Sequence, residues 1–543
     1  MKHTKILDCT LRDGAYLVDK TFGENTQRGI INNLINAGID IVELGFLQNE
    51  GFGEGKSVFK TPKEAAKYIP KDTKSTEFAL MADFSRYDFA NLGNHNPSDK
   101  IQNIRLCFFK HERFESLKLI QEIQTKGYKL FIQPVDILGY SDMEILQLIE
   151  IVNKAMPFAF SIVDTFGSMY IEDLRRIWTL INHNLHKDIQ IGFHSHNNLQ
   201  LSSALAQEFV RLSQNKRSVV IDATLNGMGR GAGNTCTELV ALYMNEKFTY
   251  DYGLDKILDS IDIYLNPLKK QCTWGYSIPY YITGMCSAHT NNITYLLEKN
   301  NIASKDLMAI LDKVDSQTRK RYDYDLLEST YLAYITQEID DSVAFSALEN
   351  VLTHKNVLIL APGKSLFTHK QKIQTFIQET KNLIVISVNF YHQDFSNDFM
   401  FLSNVKRYQF WQNDTGFAQI PKILLSNIKP DTSTNNYILN LKRVIKKGWE
   451  NLDNSMILLL RILDSFVLDS IHIAGFDGYG LIEENYFDEE LERSLTPSET
   501  THINAQIASM LKEYIKTRTH TTKITCLTES RFAKYLSDVC DML

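Results

Sequence analysis

At 543 residues the chain is too long for one hydrophobic core of ordinary size, so two or three domains are expected. Its 44% hydrophobic and 23% charged residues and formal net charge of −7 describe a globular protein and exclude a general nucleic-acid binder, whose surface would be basic. No apolar run reaches the ~20 residues that a membrane span needs, and MKHTKILDCTLRDG enters a strand pattern without a signal-peptide core, so a cytoplasmic protein is expected.

Short β-rich runs then recur, each followed by a helical pattern. They are KILDCT (5–10), DIVELGF (40–46), EFALMAD (77–83), NIRLCFF (103–109), KLFIQPV (129–135), FSIVDT (160–165), IQIGFHSH (189–196) and SVVIDAT (218–224). Intervening stretches such as NTQRGIINNLINAG and SALAQEFVRLSQN carry apolar residues at helical spacing. Eight nearly all-apolar strands alternating with helices predict a (β/α)8 TIM barrel over residues 1–254, since strands covered on both faces lose the polar alternation. A helix-rich extension is expected over 255–350. From NVLILAPGKSL (356–366) through NLIVISVNF (382–390) to SIHIAGFDGYG (470–480) the pattern restarts as a Rossmann-like α/β domain, 351–543. The seven scattered cysteines (Cys9, Cys107, Cys236, Cys272, Cys286, Cys526, Cys540) include no CxxC pair and read as free thiols.

In a TIM barrel the chemistry gathers at the C-terminal ends of the strands. The first run ends in Arg12, Asp13 and Gly14, which is either a surface turn with a local ion pair or a place where a metal and an oxyanion are held. The seventh ends in GFHSHNN, with His194 and His196 two residues apart and so on one face of a strand. One aspartate and two histidines on the same rim form a divalent-metal set with open positions, suited to Mn²⁺, Mg²⁺, Co²⁺ or Zn²⁺. At the sixth end, Thr165 offers a hydroxyl to a substrate carboxylate, and Asp164 is either a further ligand-binding group or a cap. After the eighth strand, NGMGRGAGN (226–234) lets backbone approach a ligand, with Arg230 placed for a phosphate or carboxylate.

The segments LDCTLRDG, GFHSHNN and GMGRGAGN resemble the signatures of the metal-dependent aldolase and lyase superfamily on TIM barrels. That group includes 4-hydroxy-2-oxovalerate aldolase, 3-hydroxy-3-methylglutaryl-CoA lyase, isopropylmalate synthase and the pyruvate carboxylase carboxyltransferase domain. The likeness covers about residues 1–300, and WGYSIPYYITGMCSAHTNNITY (274–295) leans toward the aldolases. It implies Asp13, His194 and His196 as metal ligands and Arg12 as the arginine facing the keto or enolate oxygen. Asn234 matches a metal ligand of the lyase branch and is taken here as a substrate contact. Where the oxovalerate aldolases carry a histidine base three residues after the metal aspartate, this chain has Tyr16. It is either the catalytic proton carrier or a substrate-positioning group beside a metal-bound water or another base, with His289 in reserve.

In the second domain LILAPGKSL is not a phosphate loop of the Walker type, because Leu358 stands where the first glycine belongs. The turn still places Gly363, Lys364 and Ser365 at a helix start, a possible phosphate site. With VISVNF, DFMFLSN and IAGFDGYG it weakly resembles the nucleotide-binding domains of sialyltransferase-like and pterin diphosphokinase-like proteins. Asp477 otherwise caps a loop.

These readings predict a divalent-metal-dependent aldolase that cleaves or forms a 4-hydroxy-2-oxo acid through a pyruvate enolate, with Mn²⁺ or Mg²⁺ first among the metals. The aldehyde is sugar-derived if the second domain binds a nucleotide or nucleotide-sugar, as in surface-polysaccharide biosynthesis. The alternatives are a Claisen-type acyl-CoA condensing enzyme or lyase, and a nucleotide-binding protein with an idle barrel. No nucleic acid or membrane partner is expected, and a homo-oligomer is.

Overall fold

The computed structural model describes residues 3–214, 216–299, 302–430, 436–450, 454–480, 485–486 and 495–536. They form two compact units, one running to Ile293 and including Asp315–Tyr322, the other holding Thr294–Val314 and the chain from Asp323 onward. The segment expected as one helical extension, 255–350, is helical but divided between them. Amphipathic periodicity makes a helix without naming the core it joins.

In the first unit eight parallel strands close on themselves: β1 (Thr4–Asp8), β2 (Ile41–Leu47), β3 (Glu77–Asp83), β4 (Ile101–Phe108), β5 (Lys129–Pro134), β6 (Ala159–Asp164), β7 (Gln190–Ser195) and β8 (Val219–Ala223). Closure comes from β1, which pairs with β8 through Thr4↔Val219 to Asp8↔Ala223 and with β2 through Leu7↔Ile41. A two-residue strand, Val58–Phe59, adds to the end of β2. The barrel is therefore the TIM fold that the alternating runs predict.

Strand alternation sorts the side chains. Ile6, Val42, Leu80, Ile104, Ile132, Phe160, Ile191 and Ile221 belong to the cluster shared with the surrounding helices, while Leu7, Ile41, Ala79, Phe131, Ala159 and Val220 form a separate cluster inside the barrel. Two residues further along, about 6.6 Å up the strands, four of the eight strands place a charged group or an imidazole inside the barrel. Glu43, Arg105, His194 and Asp222 follow Ile41, Asn103, Gly192 and Val220 and are all buried. Gly192 leaves the room that Ser161 uses, since a Cβ there would sit 2.2 Å from Ser161 Oγ.

The second unit is an open parallel sheet of β9 (Asn356–Leu360), β10 (Leu383–Val388), β11 (Phe399–Leu402), β12 (Lys422–Leu425), β13 (Asn436–Leu439), β14 (Ser470–Ala474) and β15 (Lys523–Cys526). Its order, β13-β12-β11-β10-β9-β14-β15, reverses direction between β9 and β14, as in a Rossmann-like sheet. Leu358, Leu360, Val385 and Ala474 pack with Leu366 and Ile373 on one part of a face, and Met400, Leu402 and Leu424 with Tyr408 and Phe417 on another. The six described cysteines are free thiols, and Cys540 lies outside the described residues. Among the described residues no helix is long and apolar enough to cross a membrane.

Candidate metal centre

The first strand is shorter than KILDCT suggests. Asp8 ends it by accepting from Thr10 N–H at 3.0 Å and from Thr237 Oγ–H at 2.6 Å. Thr10–Asp13 then make one helical turn, with Arg12 and Asp13 N–H both donating to Cys9 O. That turn, not the strand itself, carries Arg12 and Asp13 over the barrel mouth. The seventh strand likewise stops at Ser195. His196 lies just past it and is fixed by a bridge to Asn234 and by its own N–H to Asp164 O at 3.2 Å.

Asp13, His194 and His196 offer ligand atoms that all lie within 4.8 Å of one another. His194 Nε2 and His196 Nε2 stand 3.5 and 3.7 Å from Asp13 Oδ2. These distances exceed ordinary hydrogen bonds, and Asp13 Oδ2 is a buried oxygen without a hydrogen-bond partner. Asn234 Oδ1 is a second such oxygen, its amide N–H donating to Met228 O at 3.2 Å. Two imidazoles and a carboxylate, turned together in a buried place, fit a divalent cation.

Burial alone would raise the Asp13 carboxyl, but Arg12 and the two histidines outweigh it and hold it well below the usual carboxylate range. Burial pushes His196 down to about 4, so it is neutral and ready to ligate at neutral pH. His194 Nδ1–H donates to Asp222 Oδ2 at 3.1 Å, which turns Nε2 toward Asp13, and against the pull of burial the two carboxylates raise the imidazole above its ordinary value. Arg12 Nε–H donates to Glu43 Oε2 at 2.8 Å, with Nη1 at 3.4 Å from Asp13 Oδ1. Arg105 joins the two arms by donating to Glu43 Oε2 at 2.8 Å and to Asp222 Oδ2. With both imidazoles neutral, as metal ligation requires, three carboxylates against two guanidiniums leave one excess negative charge around the ligand set. A divalent ion would convert it to one excess positive charge.

Glu43, Arg105 and Asp222 are buried charged residues in contact with Arg12 and His194 that motif reading missed. Their signal was a single charge in the middle of an apolar strand, as in IVELGF, NIRLCF and VVIDAT. The other expected residues fall as follows. Tyr16 packs edge-on against Phe46 with centroids 5.3 Å apart, and the Arg230 guanidinium lies over its ring at 3.9 Å, so both face the same mouth. Burial raises the Tyr16 hydroxyl above its ordinary 10, against the pull of Arg230 and Arg12. Thr165 Oγ accepts from Asp136 N–H at 2.8 Å, which leaves its own proton to donate. Asp164 is no helix cap, since Tyr170 stands at the N-cap of the next helix (Ile171–Asn184); it ties the turn after its strand, accepting from Ser168 N–H at 2.9 Å and Ser195 Oγ–H at 3.1 Å. His289 uses its Nδ1 to accept from Asn291 N–H at 3.1 Å, and that nitrogen is not left to act as a base.

The turn at Gly363, Lys364 and Ser365 departs from the phosphate-site expectation. Ser365 N–H donates to Asp477 Oδ2 at 2.7 Å and its hydroxyl to Asp477 Oδ1, so the chain's own carboxylate stands where the anion was expected. Gly363 is needed for the close approach, because a Cβ there would meet Gly475 O at 2.2 Å.

Residues 3–263 match the HMGL-like family. The oxaloacetate decarboxylase of Mycobacterium tuberculosis (strain ATCC 25618 / H37Rv) is 27% identical over 271 residues, covering 47% of this chain and 74% of that protein. A 4-hydroxy-2-oxovalerate aldolase of Thermomicrobium roseum is 25% identical over 279 residues, covering 49% and 73%. A 2-isopropylmalate synthase of Staphylococcus carnosus is 26% identical over 266 residues, covering 47% and 50%.

Proposed function

We propose that the barrel, whose residues 3–263 match the HMGL-like family, makes this chain a metal-dependent enzyme of the aldolase and lyase type, one that cleaves or forms a 4-hydroxy-2-oxo acid through a pyruvate enolate. The observation that carries this reading is the buried ligand set of Asp13, His194 and His196 with Arg12 beside it. A divalent ion held there would supply Lewis acidity toward a 2-oxo acid.

The protein's own groups do the rest. Arg12, anchored through Nε on Glu43, points hydrogen-bond donors at the oxygen on which enolate charge develops. Thr165 donates to the substrate carboxylate. Tyr16 keeps its proton at neutral pH and gives it to the enolate carbon as pyruvate forms, taking back in exchange the proton that the 4-hydroxyl gives up, while Arg230 and Phe46 fix the ring. Asn234, bridged to His196, is a substrate contact carried by the glycine loop.

Oxaloacetate decarboxylation is the second reading, favoured by the 27% identical relative of that name, and it forms the same enolate. The test incubates the Mn²⁺-loaded enzyme with 4-hydroxy-2-oxovalerate or oxaloacetate and follows pyruvate with lactate dehydrogenase, subtracting the enzyme-free rate. Pyruvate with an equal amount of aldehyde supports the aldolase. Pyruvate from oxaloacetate alone supports the decarboxylase, and pyruvate from neither refutes both.

A further inference from the structure

Arg105 is a fully buried arginine in the middle of a barrel strand, in a layer that an aliphatic side chain would otherwise fill. Buried ion pairs of this kind gain little stability over well-packed apolar residues, so a reason besides packing is required. The hydrogen bonds supply one. Glu43 Oε2 accepts both from Arg105 Nη1 and from Arg12 Nε, each at 2.8 Å. Asp222 Oδ2 accepts both from Arg105 Nη2 and from His194 Nδ1, the latter at 3.1 Å. The same two carboxylate oxygens thus hold Arg105 on one side and a site residue on the other. A guanidinium presents its two Nη groups at fixed separation, as an ammonium does not.

We infer that Arg105 is a positioning residue that fixes the metal ligand His194 and the oxyanion donor Arg12 relative to each other from inside the barrel. Its Arg12 half rests on the proposed enolate chemistry, and its His194 half does not.

The test compares Asp222→Asn, Glu43→Gln, Arg105→Met and Arg105→Lys. Mn²⁺ affinity of the apoenzyme is measured by calorimetry, and methyl deuterium exchange of pyruvate at saturating Mn²⁺ and pyruvate by proton NMR after EDTA quench. Asp222→Asn is expected to weaken Mn²⁺ binding about ten- to a hundredfold. Glu43→Gln is expected to keep Mn²⁺ affinity within about threefold and to slow saturated exchange about 10²-fold. Arg105→Met should lose both, and Arg105→Lys, which cannot hold both oxygens, at least one. A residue that only stabilised the fold would lower the melting temperature without this split. A folded Arg105→Met or Arg105→Lys with both values within about threefold of wild type overturns the inference; if the methionine variant does not fold, the lysine variant decides. Absence of exchange in the wild type would refute the pyruvate reading, and the Mn²⁺ affinities would still decide the His194 half.

Discussion

Replacing Arg12 by methionine separates the two roles its position allows. In the structure Arg12 is 3.4 Å from Asp13 Oδ1 and 2.8 Å from Glu43 Oε2, and Glu43 keeps Arg105 when Arg12 is gone. The fold should therefore survive with a loss of about 1.5–3 kcal/mol for the charged hydrogen bond. At 3.4 Å and an effective dielectric constant of about 20, the attraction between Arg12 and Asp13 is about 5 kcal/mol before desolvation. Its removal leaves the ligand set more negative. Mn²⁺ should then bind at least as tightly as in the wild type. Loss of an oxyanion donor, by contrast, costs about 2.7–4 kcal/mol of barrier, or about 10²–10³ in rate. The assay pairs calorimetric Mn²⁺ titration with pyruvate methyl exchange at saturating metal. Slow exchange with intact affinity is the expected result. Exchange within about threefold of wild type would refute Arg12 as the donor, and loss of Mn²⁺ binding would recast it as part of the metal site's framework.

Three further outcomes are expected. Tyr16→Phe keeps the packing against Phe46 and Arg230 and should leave the melting temperature and Mn²⁺ affinity unchanged while slowing exchange about 10²–10⁴-fold; near-wild-type exchange would remove Tyr16 from the proton path. Gly233 has φ +82 and a Cβ there would lie 2.0 Å from Gly227 O, so Gly233→Ala should open the loop that seats Asn234, lowering the melting temperature and weakening Mn²⁺ binding about tenfold; unchanged affinity would argue against Asn234 at the site. Burial raises the Asp164 carboxyl from 3.8 to about 6, so the stability it contributes is full below pH 3.8 and lost as pH rises through about 6. Asp164→Asn should accordingly gain about 3 kcal/mol on the wild type across that window in urea unfolding, and a flat difference would contradict the burial argument.

The barrel was legible because both faces of its strands are covered, and eight apolar runs with helical spacers leave few alternative folds. Asp13, His194 and His196 were legible because strand ends share one rim. The one-turn helix that delivers Asp13 was not, since it depends on Asp8 accepting from Thr237, 229 residues away. The charged layer of Glu43, Arg105 and Asp222 escaped motif reading because each is one residue on a different strand, and only closure brings them together. Ser365 was misjudged for a related reason. Its anion partner, Asp477, lies 112 residues further along and reaches it across the point where the sheet reverses direction. The division of 255–350 between two units depends on which core each helix meets, and helical periodicity carries no such information.

The proposed chemistry stands or falls with a pyruvate enolate made at Asp13, His194 and His196. It is tested most directly by incubating the purified full chain with pyruvate in deuterium oxide, with and without Mn²⁺, and reading the methyl signal by proton NMR after EDTA quench, with Asp13→Ala in parallel. Loss of the methyl signal that requires both Mn²⁺ and Asp13 is the predicted result. A methyl signal that persists in the wild type with Mn²⁺ shown to be bound would contradict the account.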